Sequence, residues 1–142
     1  MCASEFEKPR LIPVPEREQI DALTRYIYSH YPRLLSERES MAHRVHTGLM
    51  KRLGQATRTG SNADARMDDF WFGPVRLACP DLLDEISRRG SAAVMREAAD
   101  RVLREHAGEV VLNNCPKCGN LLLTPRAKQC FSCGFDGRAQ NP

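Results

Sequence analysis

A chain of 142 residues can hold one modest hydrophobic core plus a small accessory module, and no more. Its composition, 42% apolar, 27% charged and only 6% aromatic, is that of a soluble, helix-rich protein and excludes a disordered one. The net charge of +3 sits wholly in the tail: residues 1–114 hold 17 Lys and Arg against 17 Asp and Glu, while residues 115–142 hold Lys117, Arg126, Lys128 and Arg138 against Asp136. In chain order, residues 1–13 are mixed in character and interrupted by Pro9 and Pro13, which predicts a loose lead-in. Pro15 suits the first position of a helix, with Glu16 and Glu18 at the positive end of its dipole. Ile20, Leu23, Ile27 and Tyr31 then recur at helical spacing until Pro32 pushes the preceding residue out of the α region.

Ser36-Glu-Arg-Glu39 is a capping-box pattern and opens a second helix. Its buried stripe is Ala42, Val45, Leu49 and Leu53, flanked by Met41, His46 and Met50, before a stop at Gly54. Gly54 to Ala63, with Gly60-Ser-Asn62, reads as an exposed connection. A third helix is expected over Ala63 to Phe72, capped by Asn62 and stopped by Gly73-Pro74. It carries Phe70, Trp71 and Phe72, and three successive rings cannot share one helical face. Asp81 is placed to cap a short helix holding Leu82, Leu83 and Ile86 up to Gly90. Ser91 starts the cleanest pattern, with Val94, Ala98, Val102 and also Ala99, Leu103 and His106, up to Gly108, and with Glu97 and Arg101 paired on the exposed side. Glu109 to Leu112 then turns β-branched and predicts a strand, as do Leu121 to Thr124 and Lys128 to Phe131.

The strongest motif lies in this last quarter. Cys115-Pro-Lys-Cys118-Gly and Cys130-Phe-Ser-Cys133-Gly are two Cys-x-x-Cys pairs separated by eleven residues. Each pair brings two sulfurs to one side of a tight turn, and the following Gly119 and Gly134 permit the positive φ that such a turn requires. Four soft thiolates favour one Zn²⁺, with iron in a rubredoxin-like site or a redox dithiol as the competitors. The gap is shorter than the about fifteen to twenty residues of the usual four-cysteine spacing. With four thiolates around it, the ion adds −2, so the loaded tail would carry about +1, too little for a basic arm.

The two knuckles look like those of a zinc ribbon. The fuller string, Asn114-Cys-Pro-Lys-Cys-Gly with Thr124-Pro-Arg-Ala-Lys-Gln-Cys130, resembles the tails of uncharacterised bacterial proteins that carry a helical region first. The resemblance covers about residues 109–137 and nominates Cys115, Cys118, Cys130 and Cys133 as ligands, with no counterpart for any catalytic residue. The periodicities taken in chain order predict a mainly α fold, a small bundle of four or five short helices followed by a C-terminal β zinc ribbon. The expected division is a lead-in over 1–13, a helical domain over 14–108 and the ribbon with a short tail over 109–142. Because the linker is short, the ribbon is expected to dock on the helical body.

Other groups carry weaker signals. Glu39, His43 and His46 fall near one helical face, as a second metal site or a metalloenzyme centre would need, but no second helix offers a matching Glu-x-x-His. Cys79 with His106 or His46 as base reads more simply as a small buried thiol. Arg88, Arg89, Arg101 and Arg104 stand among Asp84, Glu85, Asp100 and Glu105, which cancel their field. No phosphate-binding glycine loop, serine triad or dinucleotide fingerprint is present. Cys2 and Cys79 make no disulfide framework, the first ten residues lack the apolar stretch of a signal peptide, and no apolar run is of membrane-spanning length. The resulting expectation is a cytoplasmic, non-enzymatic protein with one structural Zn²⁺ per chain and no membrane or small-molecule substrate. A protein partner is favoured over nucleic acid, which would use Lys117, Arg126, Lys128 and Arg138, with Phe131 or Phe135 stacking.

Overall fold

The structure is a computed structural model that describes residues 20–59 and 65–138. The expected lead-in over 1–13, the helix start at Pro15, and the Asn62 cap with its Gly60-Ser-Asn connection lie outside the described residues. Within them the chain forms five α-helices and a short 3₁₀ turn: α1 (Ala22–His30), the turn Pro32–Leu34, α2 (Glu37–Thr59), α3 (Ala65–Ala78), α4 (Pro80–Arg89) and α5 (Ser91–Glu105). No helix among the described residues is long and apolar enough to cross a membrane.

The first helix is capped by Asp21, whose side chain accepts from the Thr24 amide at 2.8 Å. Ile20 is therefore outside the helix, a correction to the expectation that it belongs to the apolar run. The predicted capping box of α2 is formed in both directions: the Ser36 amide donates to Glu39 Oε1 at 2.7 Å, and the Glu39 amide donates to Ser36 Oγ at 3.2 Å. The helix runs on through Gly54 to Thr59. A mid-helix glycine costs only about 1 kcal/mol, and the Gln, Ala and Arg that follow are good or adequate helix formers.

The predicted stop at Gly73-Pro74 is also passed, because α3 continues to Ala78 with Pro74 inside it. A proline here removes the amide that would have reached the carbonyl of Phe70, four residues earlier. Arg44 on α2 supplies the missing donor: its Nη2 donates to the Phe70 carbonyl, and its Nε donates to the Trp71 carbonyl at 3.1 Å. A long-range side chain thus repairs a local break. The same two helices cross closely at Gly48, where a Cβ would lie 2.7 Å from Trp71 Cβ. Only glycine admits that approach.

Cys79, not Asp81, is the N-cap of α4, with Pro80 at the first helical position, where its missing amide costs nothing. Gly90, at φ 87°, separates α4 from α5. The main core gathers Tyr28, Ala42, Val45, Leu49, Phe72, Val75, Leu82, Ile86, Val94, Met95 and Ala98, drawn from all five helices. Here α2 is central and packs on both α3 and α5. The ring triplet divides as the helical period demands, with Phe72 buried, Trp71 half-buried and Phe70 exposed. The predicted Glu97–Arg101 pair is not made. Glu97 pairs with Arg89 at 2.8 Å, while Arg101 bridges Glu39 and Glu105 at 2.6 Å each. Arg101 bonds Glu39 across helices because the carboxylate fixed by the capping box already faces it.

The strands expected of a C-terminal β ribbon are not present among the described residues. After α5 the chain has no strand among the described residues, only two isolated antiparallel bridges, Asn114 with Leu121 and Gln129 with Asp136. Each knuckle closes on itself: the Cys115 amide reaches the Asn120 carbonyl at 2.7 Å, and the Cys130 amide reaches the Phe135 carbonyl at 2.7 Å. With the Leu122 amide on the Asn113 carbonyl at 2.8 Å and the Gly137 amide on the Lys128 carbonyl at 2.7 Å, these bonds make the two bridges, and neither pairing extends into a ladder. The segment Thr124 to Ala127 is tied instead by Asn113, whose Nδ2 donates to both carbonyls at 3.0 and 2.8 Å.

Candidate metal centre

The two turns repeat each other. Gly119 and Gly134 take φ of 78° and 79°, and their amides donate to the Cys115 and Cys130 carbonyls at 2.9 and 3.0 Å. A side chain in that left-handed region would be strained, so the sequence Cys-x-x-Cys-Gly sets the turn. Its effect is to bring each cysteine pair to one side of its loop.

The loops face one another and place the four Sγ atoms of Cys115, Cys118, Cys130 and Cys133 within 4.8 Å of each other. Across the loops, Cys115 Sγ lies 3.7 Å from Cys133 Sγ, and Cys118 Sγ lies 3.6 Å from Cys130 Sγ. Four sulfurs at about 2.3 Å from a tetrahedral zinc would be about 3.8 Å apart. The donor set therefore fits the ion in number and type, and the two cross-loop separations match it. Cys115 and Cys130 are buried, Cys133 is half-buried and Cys118 exposed, and Leu122 packs behind them with Ala127 and Phe135.

The thiols do not behave alike in the absence of a cation. The Cys133 backbone amide, against a smaller push from burial and with help from the Ser132 amide, holds the Cys130 thiol down to about 6. Cys118 is pushed up to about 12: the Asn120 amide pulls it down, but burial and the Cys130, Cys133 and Cys115 sulfurs outweigh it. Crowded sulfurs cannot all be charged at once, and a divalent cation at their centre removes that conflict. The Lys117 amide also points at Cys115 Sγ at 3.4 Å, the kind of N–H···S contact that steadies a thiolate.

Among the described residues, these cysteines are the one group of three or more His, Cys, Asp or Glu side chains close enough to share an ion. Glu39, His43 and His46 are not assembled into such a group. Glu39 is engaged by Arg101 and Ser36, His46 Nδ1 hydrogen-bonds Ser91 Oγ at 2.7 Å, and His43 packs its ring on Tyr28. The Cys79 pairing with a histidine base is likewise not made: it lies half-buried against the main core, while His106 binds Glu109 at 2.6 Å.

The candidate cations separate into two kinds. Arg138 is held by Asp136 at 3.1 Å, whereas Lys117, Arg126 and Lys128 are exposed and make no ion pair among the described residues. Phe131 stands 74% exposed, but Phe135 packs beneath the cysteines and is not free to stack on a partner.

The centre is docked on the helices, by residues that spacing alone did not nominate. Tyr26 donates its hydroxyl to the Val111 carbonyl, the Val111 amide donates to the Tyr31 hydroxyl at 2.9 Å, and His30 Nε2 donates to the Leu123 carbonyl at 2.9 Å. Val110 and Leu121 complete the contact by packing against Tyr26, Ile27, Tyr31, Ala99 and Val102. The expected docking is thus present, with α1 supplying the polar clasp and α5 part of the apolar floor. Its one sequence signal was the unusual Tyr-x-x-x-His-Tyr run at the end of α1. Comparisons with family profiles, with curated proteins and with solved structures find no match to this chain.

Proposed function

We propose that this is a non-enzymatic zinc-binding protein in which one structural Zn²⁺ per chain, held by Cys115, Cys118, Cys130 and Cys133, maintains a recognition module on a helical body. The reading keeps the likeness of the knuckles to those of helical bacterial proteins ending in a zinc ribbon, though here without the ribbon's strands. The observation that carries it is the convergence of four sulfurs, from two loops, within 4.8 Å of one another, with the cross-loop pairs at 3.6 and 3.7 Å, close to the separation in a tetrahedral zinc site. Four cysteine ligands complete that geometry and leave no position for a water or substrate, so the ion's role is architectural. A protein partner is the first reading of what the module recognises. Nucleic acid is the second, favoured by the exposed Phe131 beside the unpaired Arg126 and Lys128.

The test is metal analysis of the native protein followed by chelation. One zinc per chain is expected, and its removal should unfold residues 109–137 while the helical circular dichroism largely persists. Metal binding to so small a core should supply on the order of 10 kcal/mol. A chain without tightly held metal, or a module whose amide signals are unchanged after chelation, overturns the reading.

A further inference from the structure

The exposed apolar side chains are unevenly distributed. Of the six large hydrophobic residues that stand exposed among the described residues, four belong to the metal module: Val111, Leu112, Leu123 and Phe131. Leu123, 63% exposed, and Phe131 line one open groove of about 530 Å³ together with Arg126, Lys128 and Arg138. Since Asp136 and Gln129 hold Arg138, the groove offers two free cations, Arg126 and Lys128, beside an aliphatic and an aromatic side chain.

The floor of the groove is fixed before any partner arrives. Asn113 holds the carbonyls of Thr124 and Ala127, and the Gly137 amide holds that of Lys128 at 2.7 Å. The backbone that carries both cations is therefore anchored at both ends to the metal knuckles. A surface ordered in advance loses less entropy on binding.

We infer that this groove binds a short segment of a partner protein in which two carboxylates flank an apolar side chain. The inference rests on the reading of the chain as a zinc-held recognition module. The carboxylates would meet Arg126 and Lys128 in charge-assisted hydrogen bonds, and the apolar side chain would lie between Leu123 and Phe131. A nucleic-acid strand uses the surface less well. Two free cations give a salt slope of only about −1.4 on a single strand, and Leu123 offers a base neither a stacking plane nor a hydrogen bond.

The experiment is a selection of random short peptides, displayed on phage, against the full zinc-loaded chain. Enriched peptides should carry Asp or Glu on both sides of Leu, Ile or Phe. The best of them, labelled for fluorescence anisotropy, should lose at least tenfold in affinity, about 1.4 kcal/mol, against Arg126→Gln/Lys128→Gln and against Phe131→Ala. All three side chains are exposed, so these variants should keep both zinc and helical signal. Selection without acidic–apolar enrichment overturns the proposal, as does peptide binding that either variant leaves unchanged. A labelled oligo-dT or oligo-U strand that binds more tightly than every selected peptide, and is released by the double variant, overturns it in favour of nucleic acid. Zinc measured on the same sample separates the two failures: a zinc-loaded chain that selects nothing defeats this inference alone, whereas a chain without zinc defeats the proposed function.

Discussion

The helical body and the C-terminal module are held by different physics. The body buries a shared apolar core from five helices, with Ala42, Val45, Leu49, Val75, Leu82 and Met95 fully removed from water. Apart from Val110, which packs on the body, the module buries little beyond Leu122 and two of its own cysteines. Hydrophobic stabilisation scales with the apolar surface removed from water, so it weighs far more in the body than in the module. In place of a core, the module gathers four cysteine sulfurs within 4.8 Å of one another. The difference teaches where each region is vulnerable: the body to cavities and lost hydrogen bonds, the module to chelation.

The largest expected effect follows directly. Loss of the metal should remove on the order of 10 kcal/mol from the module and leave most of the body folded. Amide exchange would read both regions in one sample. Protection should collapse at Cys115 and Cys130 and survive at Leu49 and Met95. Equal collapse in both would abolish the distinction.

The body has its own single point of dependence, smaller in size. Replacing Arg44 with leucine would leave the Phe70 carbonyl, which Pro74 deprives of its helical donor, without its guanidinium. A lost hydrogen bond to a charged group is worth roughly 1.5–3 kcal/mol. Arg44→Leu should lower the midpoint of urea unfolding of the helices accordingly, with zinc content unchanged. Restoring the local donor by Pro74→Ala in the same chain should recover most of the loss. If the double variant is no more stable than Arg44→Leu, the guanidinium is not substituting for the missing amide.

That point also marks where the sequence was legible and where it was not. Features set by neighbours within about four residues could be read: the Ser36–Glu39 box, the Ala42–Val45–Leu49 stripe, the clean face of α5 and the two Cys-x-x-Cys-Gly turns. Features settled by a distant group could not. Nothing near Gly73-Pro74 announces that Arg44 will carry the helix through it, and Gly48 acquires its reason only when Trp71 arrives. The strand expectation failed in the opposite sense. The β-branched and leucine runs read as strands by local preference, but among the described residues the pairing stops after a single bridge at each knuckle. The four-cysteine cluster was legible because it is written in residue type and spacing. The docking clasp was not, because Tyr26, Tyr31 and His30 read simply as the end of an amphipathic helix.

The clasp is where the two regions meet, and it sets how far the loss of one is felt by the other. Tyr26→Phe removes one donor to the Val111 carbonyl, which the Tyr31 hydroxyl still approaches at 3.5 Å. About 1 kcal/mol is the expected cost. It should appear as faster amide exchange at Val110–Leu112 in the zinc-loaded protein, with the metal still bound. In the chelated protein the same substitution should change nothing, because the module it fastens is already unfolded.

The smallest effect is a pH dependence that belongs to the body alone. Burial pushes the Glu39 carboxyl up, but the Arg101 guanidinium, donating at 2.6 and 2.8 Å, and then the Ser36 amide pull it further down, leaving it below its ordinary value of 4.5. A carboxylate lowered in the folded state favours folding above its unfolded value. That contribution fades as the pH falls through the folded value. For a partly exposed pair it should be below about 1 kcal/mol. Glu39→Gln should therefore destabilise the helices slightly at neutral pH and by progressively less below about pH 4.5, where the wild-type carboxyl becomes protonated as well. Helical circular dichroism of the two proteins after zinc removal isolates the body from the proton competition at the thiolates. Curves for wild type and Glu39→Gln that run parallel down to pH 2 would mean that Glu39 acts through the capping box alone. Convergence in acid would assign the difference to its charge on Arg101.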